Sequence, residues 1–366
     1  MTVVYHAPFR PRLKKSTREL LRLLLERVDL SRIAGERDIT AVKTHIGEAG
    51  NLAYIRPPYL AVVIDLLNEL KAKSFVTDST SLYTGHRQNG LDLIDTSARH
   101  GFTREVLGAP VLPADGLKGD DEVLVPSPVE GNPPVHLAGL TARADCLVCV
   151  SHFKGHELTG FGGAIKNLSM GCSSKAGKFY MHTRSKPFID KERCIGCGRC
   201  LSWCAWEAIS IVEGTAHIDE ERCTGCAHCL LACPVRAIAF RWDGASAEVQ
   251  RRMAEYAKSA VDAVDGRVIY VNVLTDVSPS CDCFPRHDPQ IVPDLGFVAG
   301  DDPVAVDAAC MELVRRAPGL PGSTAAEFGP GVEKFAALYP GVDPAVQLNA
   351  GVELGLGSLD YEISAP

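Results

Sequence analysis

The chain has 366 residues, with 38 Lys and Arg against 45 Asp and Glu and a formal charge of -7. That balance leaves no basic footprint for a nucleic-acid partner. A hydrophobic fraction of 46% with 23% charged residues is that of a globular protein long enough to bury a sizeable core. The most apolar early run, LLRLLLERV, is interrupted by Arg22, Glu26 and Arg27 and is too short to span a bilayer, so no membrane partner is expected. The opening MTVVYHAPFRPRLKK has no apolar segment of the secretory kind, which leads to the expectation of a cytoplasmic protein. Thiols stay reduced there, and the 14 cysteines then read as metal ligands or catalysts rather than disulfides.

Residues 16–27 read as a helix opened by a capping box of Ser16 and Glu19. Residues 39–43 are strand-like, and 57–70 are helical with Pro57 and Pro58 in the first turn. Segments 74–77, 123–125, 146–150 and 268–273 read as buried strands. Residues 245–264 form a long amphipathic helix, and 302–316 another, with Asp302 as N-cap and Pro303 at its first position. This alternation predicts an α/β fold, a mostly parallel sheet flanked by helices.

Polar residues follow each strand. Thr44 and His45 follow the first, and Asp78, Ser79 and Thr80 the second. SHFKGHELTGFGG follows 146–150. Thr275, Asp276 and then SPSCDCFP (278–285) follow 268–273, and Gly300, Asp301 and Asp302 follow the apolar stretch 295–299. Open α/β sheets bind ligands at the carboxyl ends of their strands, so these groups converge on one edge if the strands run parallel.

An internal repeat interrupts the alternation. IDKERCIGCGRCLSWCAWEAISI (189–211) returns as IDEERCTGCAHCLLACPVRAIAF (218–240), offset by 29 residues. Each copy holds C-x2-C-x2-C-x3-C, the spacing of the bacterial two-cluster ferredoxins, in which the fourth cysteine of each run ligates the other cluster. This predicts an inserted two-cluster ferredoxin (α+β) domain over 186–242, between host segments 1–185 and 243–366. Cys194, Cys197, Cys200 and Cys233 are assigned to one [4Fe–4S] cluster, and Cys223, Cys226, Cys229 and Cys204 to the other. Gly196 and Gly225 let the loops turn. Two tandem four-cysteine runs argue against a pair of zinc knuckles. Pro234 follows the second run where Ala205 follows the first, but no ligand is lost. Trp203 and Trp206 either shield a cluster or simply pack, and His228 is placed to tune one.

Residues 151–178, SHFKGHELTGFGGAIKNLSMGCSSKAGK, hold His152, His156, Lys154, Lys166, Lys175 and Lys178. Gly160, Gly162 and Gly163 precede a short helix at 164–170, an arrangement that suits an anion; close packing with solvated lysines is the plainer alternative. The C-x2-C of Cys146 and Cys149 lies in an apolar strand where the side chains face opposite ways, so both read as buried thiols, as does Cys310 in its helix. His86, His100, His136, His217 and His287 read as structural or surface residues. Tyr83 lines a pocket or packs.

SHFKGHELTGFGGAIKNLSMGC, the double cysteine run, SPSCDCFP and VAGDDPVAVDAA (298–309) together resemble domain-of-unknown-function family 362, in its iron–sulfur branch. AVKTHIGEAGNLAYIRP and FVTDSTSLYTG add to the likeness. The resemblance implies a host domain with two [4Fe–4S] clusters but supplies no reaction.

The expected function is that of an iron–sulfur oxidoreductase. It takes electrons from, or gives them to, an external one-electron partner protein and acts on an anionic small molecule at the sheet edge. The candidate site comprises His45, Asp78, Lys154, His156, Lys166, Asn167, Cys172, Cys281, Asp282 and Cys283, with His45 or His156 delivering protons. No G-x-G-x-x-G joins a strand to a helix, so neither flavin nor nicotinamide is indicated. The alternatives are an electron carrier and a metal- or cofactor-handling protein. Subtracting cluster and core cysteines leaves Cys172, Cys281 and Cys283 as a candidate third metal centre or as lining of the substrate pocket. A disulfide within the C-x-C is geometrically awkward.

Overall fold

Eight strands form one sheet in the order Tyr361–Ser364, Thr2–Ala7, Gly296–Gly300, Val268–Leu274, Cys146–His152, Ile39–Lys43, Lys73–Asp78, Val111–Pro113. The computed structural model describes residues 1–9, 14–83, 85–183, 186–204, 206–223, 228–241 and 244–366, with His228 and Leu231 by backbone alone. Every pairing is parallel except the two made by Gly296–Gly300, which runs against both its neighbours. The expected α/β architecture, a large mostly parallel sheet with helices on its faces, is what the chain adopts.

The central strands are buried on both sides, as parallel strands covered by crossover helices must be. Along Val268–Leu274, Ile269, Val271 and Val273 enter one core, while Val268, Tyr270 and Leu274 enter the other. The first core is covered by the helices Thr17–Val28 and Pro57–Glu69; the second by Ala164–Ser169, Ser246–Asp262 and Pro303–Arg316. Cys146 belongs to the first core and Cys149 to the second, so the C-x2-C is split across the sheet as expected. Burial pushes Cys149 up to about 12, as suits an inert core thiol. Cys310 is likewise buried in its helix.

The helix at Thr17–Val28 opens on the anticipated capping box, with Ser16 and Glu19 each bonding the other's backbone N–H. The strand expected at 123–125 is instead part of a separate two-stranded pair, Glu122–Val125 with Val135–Ala138. Strands Thr2–Ala7 and Tyr361–Ser364, which close one side of the main sheet, had no clear sequence signal.

The reversed strand has a consequence for the site. Its start, not its end, lies at the carboxyl edge of the parallel strands. Asp301 and Asp302 are therefore carried to the opposite edge, contrary to the expected convergence. There Asp301 pairs with Arg32 at 2.7 Å. Asp302 caps its helix through Ala305 N–H (2.9 Å) and accepts from Ser358 N–H (2.8 Å).

Between Phe188 and Ala239 lie two small antiparallel pairs, Phe188–Ile189 with Ile238–Ala239 and Ile209–Val212 with Thr215–Ile218. The second is a tight hairpin whose turn residues Glu213 and Gly214 both have positive φ, the conformation that matches strand twist. Among the described residues of this region, Cys200, Ile209, Ala216, Cys229 and Ile238 form a small buried cluster. Leu230 and Phe240 meet Leu82 and Phe179 of the larger body, with the Phe179 and Phe240 rings 5.4 Å apart.

Candidate functional site

Four parallel strands deliver charged residues to their carboxyl edge. Lys43, the last residue of its strand, is fully buried, and its ammonium has three acceptors: Asp78 Oδ1 (2.9 Å), Asn167 Oδ1 (2.6 Å) and Thr44 O (2.8 Å). That is the full donor capacity of a lysine. Asn167 in turn donates to Val150 O (3.1 Å) and Ser151 Oγ (3.0 Å), so lysine and amide together tie three strands. The other oxygen of Asp78 accepts from His45 Nδ1 at 3.0 Å and faces Arg87 at 3.5 Å. Burial would raise the Asp78 carboxyl, but Lys43, His45 and Arg87 overcome it and hold the group well below the usual range. His45 is thus oriented by a buried carboxylate, while its Nε2 is buried with no hydrogen-bond partner among the described residues.

The loop that begins at Val277 comes over this edge. It is pinned by Ile291 N–H to Val277 O (2.8 Å), Gly155 N–H to Ser278 O (2.9 Å) and Glu48 N–H to Asp282 O (2.8 Å). Asn51 Nδ2 adds bonds to Phe284 O (3.3 Å) and Arg286 O (2.9 Å). A Cβ on Gly155 would lie 2.1 Å from Pro279 O, so only glycine admits this approach. Phe284 N–H closes a turn onto Cys281 O at 3.2 Å. Asp282 points inward. Its Oδ2 meets His152 Nδ1 (2.8 Å) and Lys154 Nζ (3.2 Å), and Oδ1 is buried without a partner among the described residues. Burial raises this carboxyl; His152 and Lys154 outweigh it and bring it down to about 2.

Cys281 and Cys283 flank Asp282. Their sulfurs and a ring nitrogen of His156 all lie within 4.8 Å of one another. Lys166 Nζ donates to Cys281 Sγ at 3.4 Å. The Cys281 thiol is held well below its ordinary range by Cys283, hydrogen-bonded beside it, with Lys166, His45 and Lys154 adding to the pull against burial. Cys283 is pushed the other way, first by Cys281 and then by burial. Burial and then Lys166 push His156 well down, so the ring is neutral, and its Nδ1 accepts from Leu158 N–H at 3.1 Å. A thiolate beside an ammonium, with neutral imidazole alongside, suits nucleophilic, redox or soft-metal chemistry.

Nine of the ten expected site residues therefore meet at this edge. Cys172 does not. It sits in the second core next to Cys149, its thiol reaches Asn167 O at 4.0 Å, and burial pushes it up to about 11. It is replaced in the three-membered group by His156. Lys43, Arg87, Glu48 and His152 were missed as site members. Lys43 had a signal, a lysine closing an apolar strand; Arg87, which reaches Glu48 at 3.3 Å and the Tyr83 hydroxyl, had none. His86, His100 and His136 have structural partners in Glu48, Ile46 O and Glu122, and Leu52 N–H donates to His287; His217 is exposed.

The glycine-rich stretch is not an open anion loop. Gly160–Gly162 is a strand paired with Lys154–His156. The free amides expected at the following helix are taken by Asp307, which accepts from Ala164 N–H (2.7 Å) and Ile165 N–H (3.0 Å). Nor do the four lysines form one cradle. Lys154 and Lys166 face the 278–285 loop; Lys178 donates to Ser79 Oγ (2.6 Å) and Thr80 O (2.5 Å), and Lys175 to Gln88 O.

In the cysteine-rich region, Cys194, Cys197, Cys200 and Cys233 line one pocket, together with Ile195, Ile211 and Val235. Backbone N–H groups reach three sulfurs: Ala216 to Cys194 (3.3 Å), Ala208 to Cys204 (3.3 Å) and Ala237 to Cys233 (3.1 Å). The last two are equivalent positions of the repeat. Four thiols on one pocket, with N–H groups aimed at the sulfurs, fit a tetrathiolate iron–sulfur group. Cys226, Gly225, Ala205 and Trp242 lie outside the described residues, as does the side chain of His228. Trp203 lies under Lys118 Nζ at 4.0 Å and Trp206 is exposed, so neither is a buried shield.

A family model described as a domain of unknown function, DUF362, matches residues 40–312, well over half of the chain. The chain belongs to the DUF362 family. No curated protein matches it. Among solved structures, this DUF362 chain is similar to the lactate racemase apoprotein from Thermoanaerobacterium thermosaccharolyticum. The TM-score is 0.39 at 14% identity, over 74% of this chain and 50% of that one. A structural-genomics protein from Thermotoga maritima gives 0.35 at 11% identity, over 73% and 51%. The chain spans about half the length of these two proteins. Among the described residues, no helix is long and apolar enough to cross a membrane.

Proposed function

We propose that the protein is a cytoplasmic iron–sulfur oxidoreductase, built from host segments 1–185 and 243–366 and a two-cluster ferredoxin insert at 186–242. The observation that carries this reading is the pocket shared by three cysteines of the first run and the last cysteine of the second. That crossed set is the one the ferredoxin spacing calls for. Bound at Cys194, Cys197, Cys200 and Cys233 and at Cys223, Cys226, Cys229 and Cys204, two [4Fe–4S] clusters supply one-electron transfer. The host residues do the rest. Lys154 and Lys166 give an anionic small molecule its counter-charge, and His45, aligned by Asp78, holds or delivers a proton at Nε2.

An electron carrier without substrate turnover is the second reading. It is favoured by how closed the sheet edge is: Cys281, Asp282, Lys154 and His156 are all at most 5% exposed. The two separate in one experiment. Anaerobically purified protein is reduced with dithionite, freed of excess reductant and offered a panel of small carboxylates and phosphate esters. The oxidoreductase reading expects the visible absorbance of the oxidised protein to return with at least one of them. It expects Lys166→Met to abolish that return with the resting spectrum unchanged. Reoxidation by a partner protein alone contradicts it.

A further inference from the structure

We propose that Cys281, Cys283 and His156 form a metal site separate from the cysteine repeat, one that takes a borderline-soft divalent ion of the zinc(II) class. Four observations carry this. The three ligand atoms already lie within 4.8 Å of one another. The C-x-C is held in a pinned turn, closed by Phe284 N–H onto Cys281 O, which brings both thiols to one side while Asp282 points away to His152 and Lys154. At the same edge two buried polar atoms, His45 Nε2 and Asp282 Oδ1, have no hydrogen-bond partner among the described residues. Finally, His45 lies beside Cys281, and its Nδ1 is tied to Asp78. A carboxylate that binds one imidazole nitrogen and leaves the other free is the usual support of a metal-bound or metal-facing histidine.

Two thiolates and an imidazole select zinc(II) or a similar ion over magnesium or calcium, which prefer oxygen ligands. Three protein ligands leave the fourth tetrahedral position open, the mark of a catalytic rather than a structural zinc site. His45 lies beside Cys281 and Lys166 donates to its sulfur, so both are at hand for an anion arriving there. Cys172, buried in the second core, has no part in the site.

The test reads the difference between wild type and variant and needs no turnover. The full chain is purified anaerobically, incubated with zinc(II), dialysed, and analysed for zinc and iron beside Cys281→Ser/Cys283→Ser. The expected result is about one more zinc per wild-type chain than per chain of the double variant, with iron and the thermal melting profile unchanged. In a second measurement, wild-type protein takes up cobalt(II), develops thiolate-to-cobalt absorption and loses it when zinc(II) displaces the ion; this needs no variant to fold. Zinc retained equally by the double variant overturns the proposal, as does a wild type that retains no zinc and develops no thiolate-to-cobalt absorption. If iron is absent throughout while zinc follows Cys281 and Cys283, the iron–sulfur reading fails and this one stands.

Discussion

The sheet edge and the cysteine repeat are both rich in reactive groups, but they are held in opposite ways. At the sheet edge nearly every buried charge is answered by another protein group: Lys43 by Asp78 and Asn167, Asp282 by His152 and Lys154, Arg87 by Glu48 and Tyr83. Large apolar cores lie on both faces of the sheet behind it. Among the described residues, the repeat's own apolar cluster has five buried members, two of them cysteines. Such a core is too small to order more than fifty residues, and small domains of this kind rely on metal ligation. The host should therefore fold on packing and pairing, and the repeat on what its thiols bind.

The largest effect expected from this contrast is regional. Oxidative loss of the metal, with a chelator present, should abolish amide-exchange protection across 188–239 and leave the central strands Cys146–His152 and Val268–Leu274 protected. Equal loss in both regions would break the comparison. Next comes Lys43→Met, which leaves the buried Asp78 short of its closest cation. Removing one partner of a buried pair costs about 3–5 kcal/mol. Urea unfolding of the host should show it, with iron content unaffected.

A pH effect should follow. Burial raises the Asp307 carboxyl from 3.8 to about 6, despite its bonds from Ile165 N–H, Asn272 and Ala164 N–H. The folded chain then holds a proton that the unfolded chain has released between those values. Host stability is greatest below pH 4 as far as this group is concerned, and falls by roughly 3 kcal/mol as pH rises through 6. Asp307→Asn should flatten that slope in urea titrations at a series of pH values. The smallest change is Phe179→Leu, which trims the contact between the two regions. It should cost about 1 kcal/mol and lower the melting of the repeat before that of the host.

What could be read in advance was what is local. The cysteine spacing, the Ser16–Glu19 box, the Asp302 cap and the two-sided burial of 146–150 are all patterns within a few residues. What could not be read depended on distant pairings. The reversal of Gly296–Gly300 is set by its neighbours Thr2–Ala7 and Val268–Leu274, and it moved Asp301 and Asp302 away from the site. Asp307, more than 140 residues along the chain, fills the helix amides that a glycine-rich loop had suggested for a ligand. Cys172 looked like a third loop thiol only because the packing against Cys149 and the second core is invisible along the chain. His156 took its place because Lys154–His156 pairs with Gly160–Gly162, which folds it back over the C-x-C.

The proposed content of the repeat is two [4Fe–4S] clusters with crossed ligation. Iron analysis joined to electron paramagnetic resonance of the dithionite-reduced chain tests it most directly. About eight irons per chain and two reduced-cluster signals are expected. Cys233→Ser should alter the cluster held by Cys194, Cys197 and Cys200 and spare the other. Zinc in place of iron, or loss of the cluster held by Cys223, Cys226 and Cys229 in that variant, would contradict it.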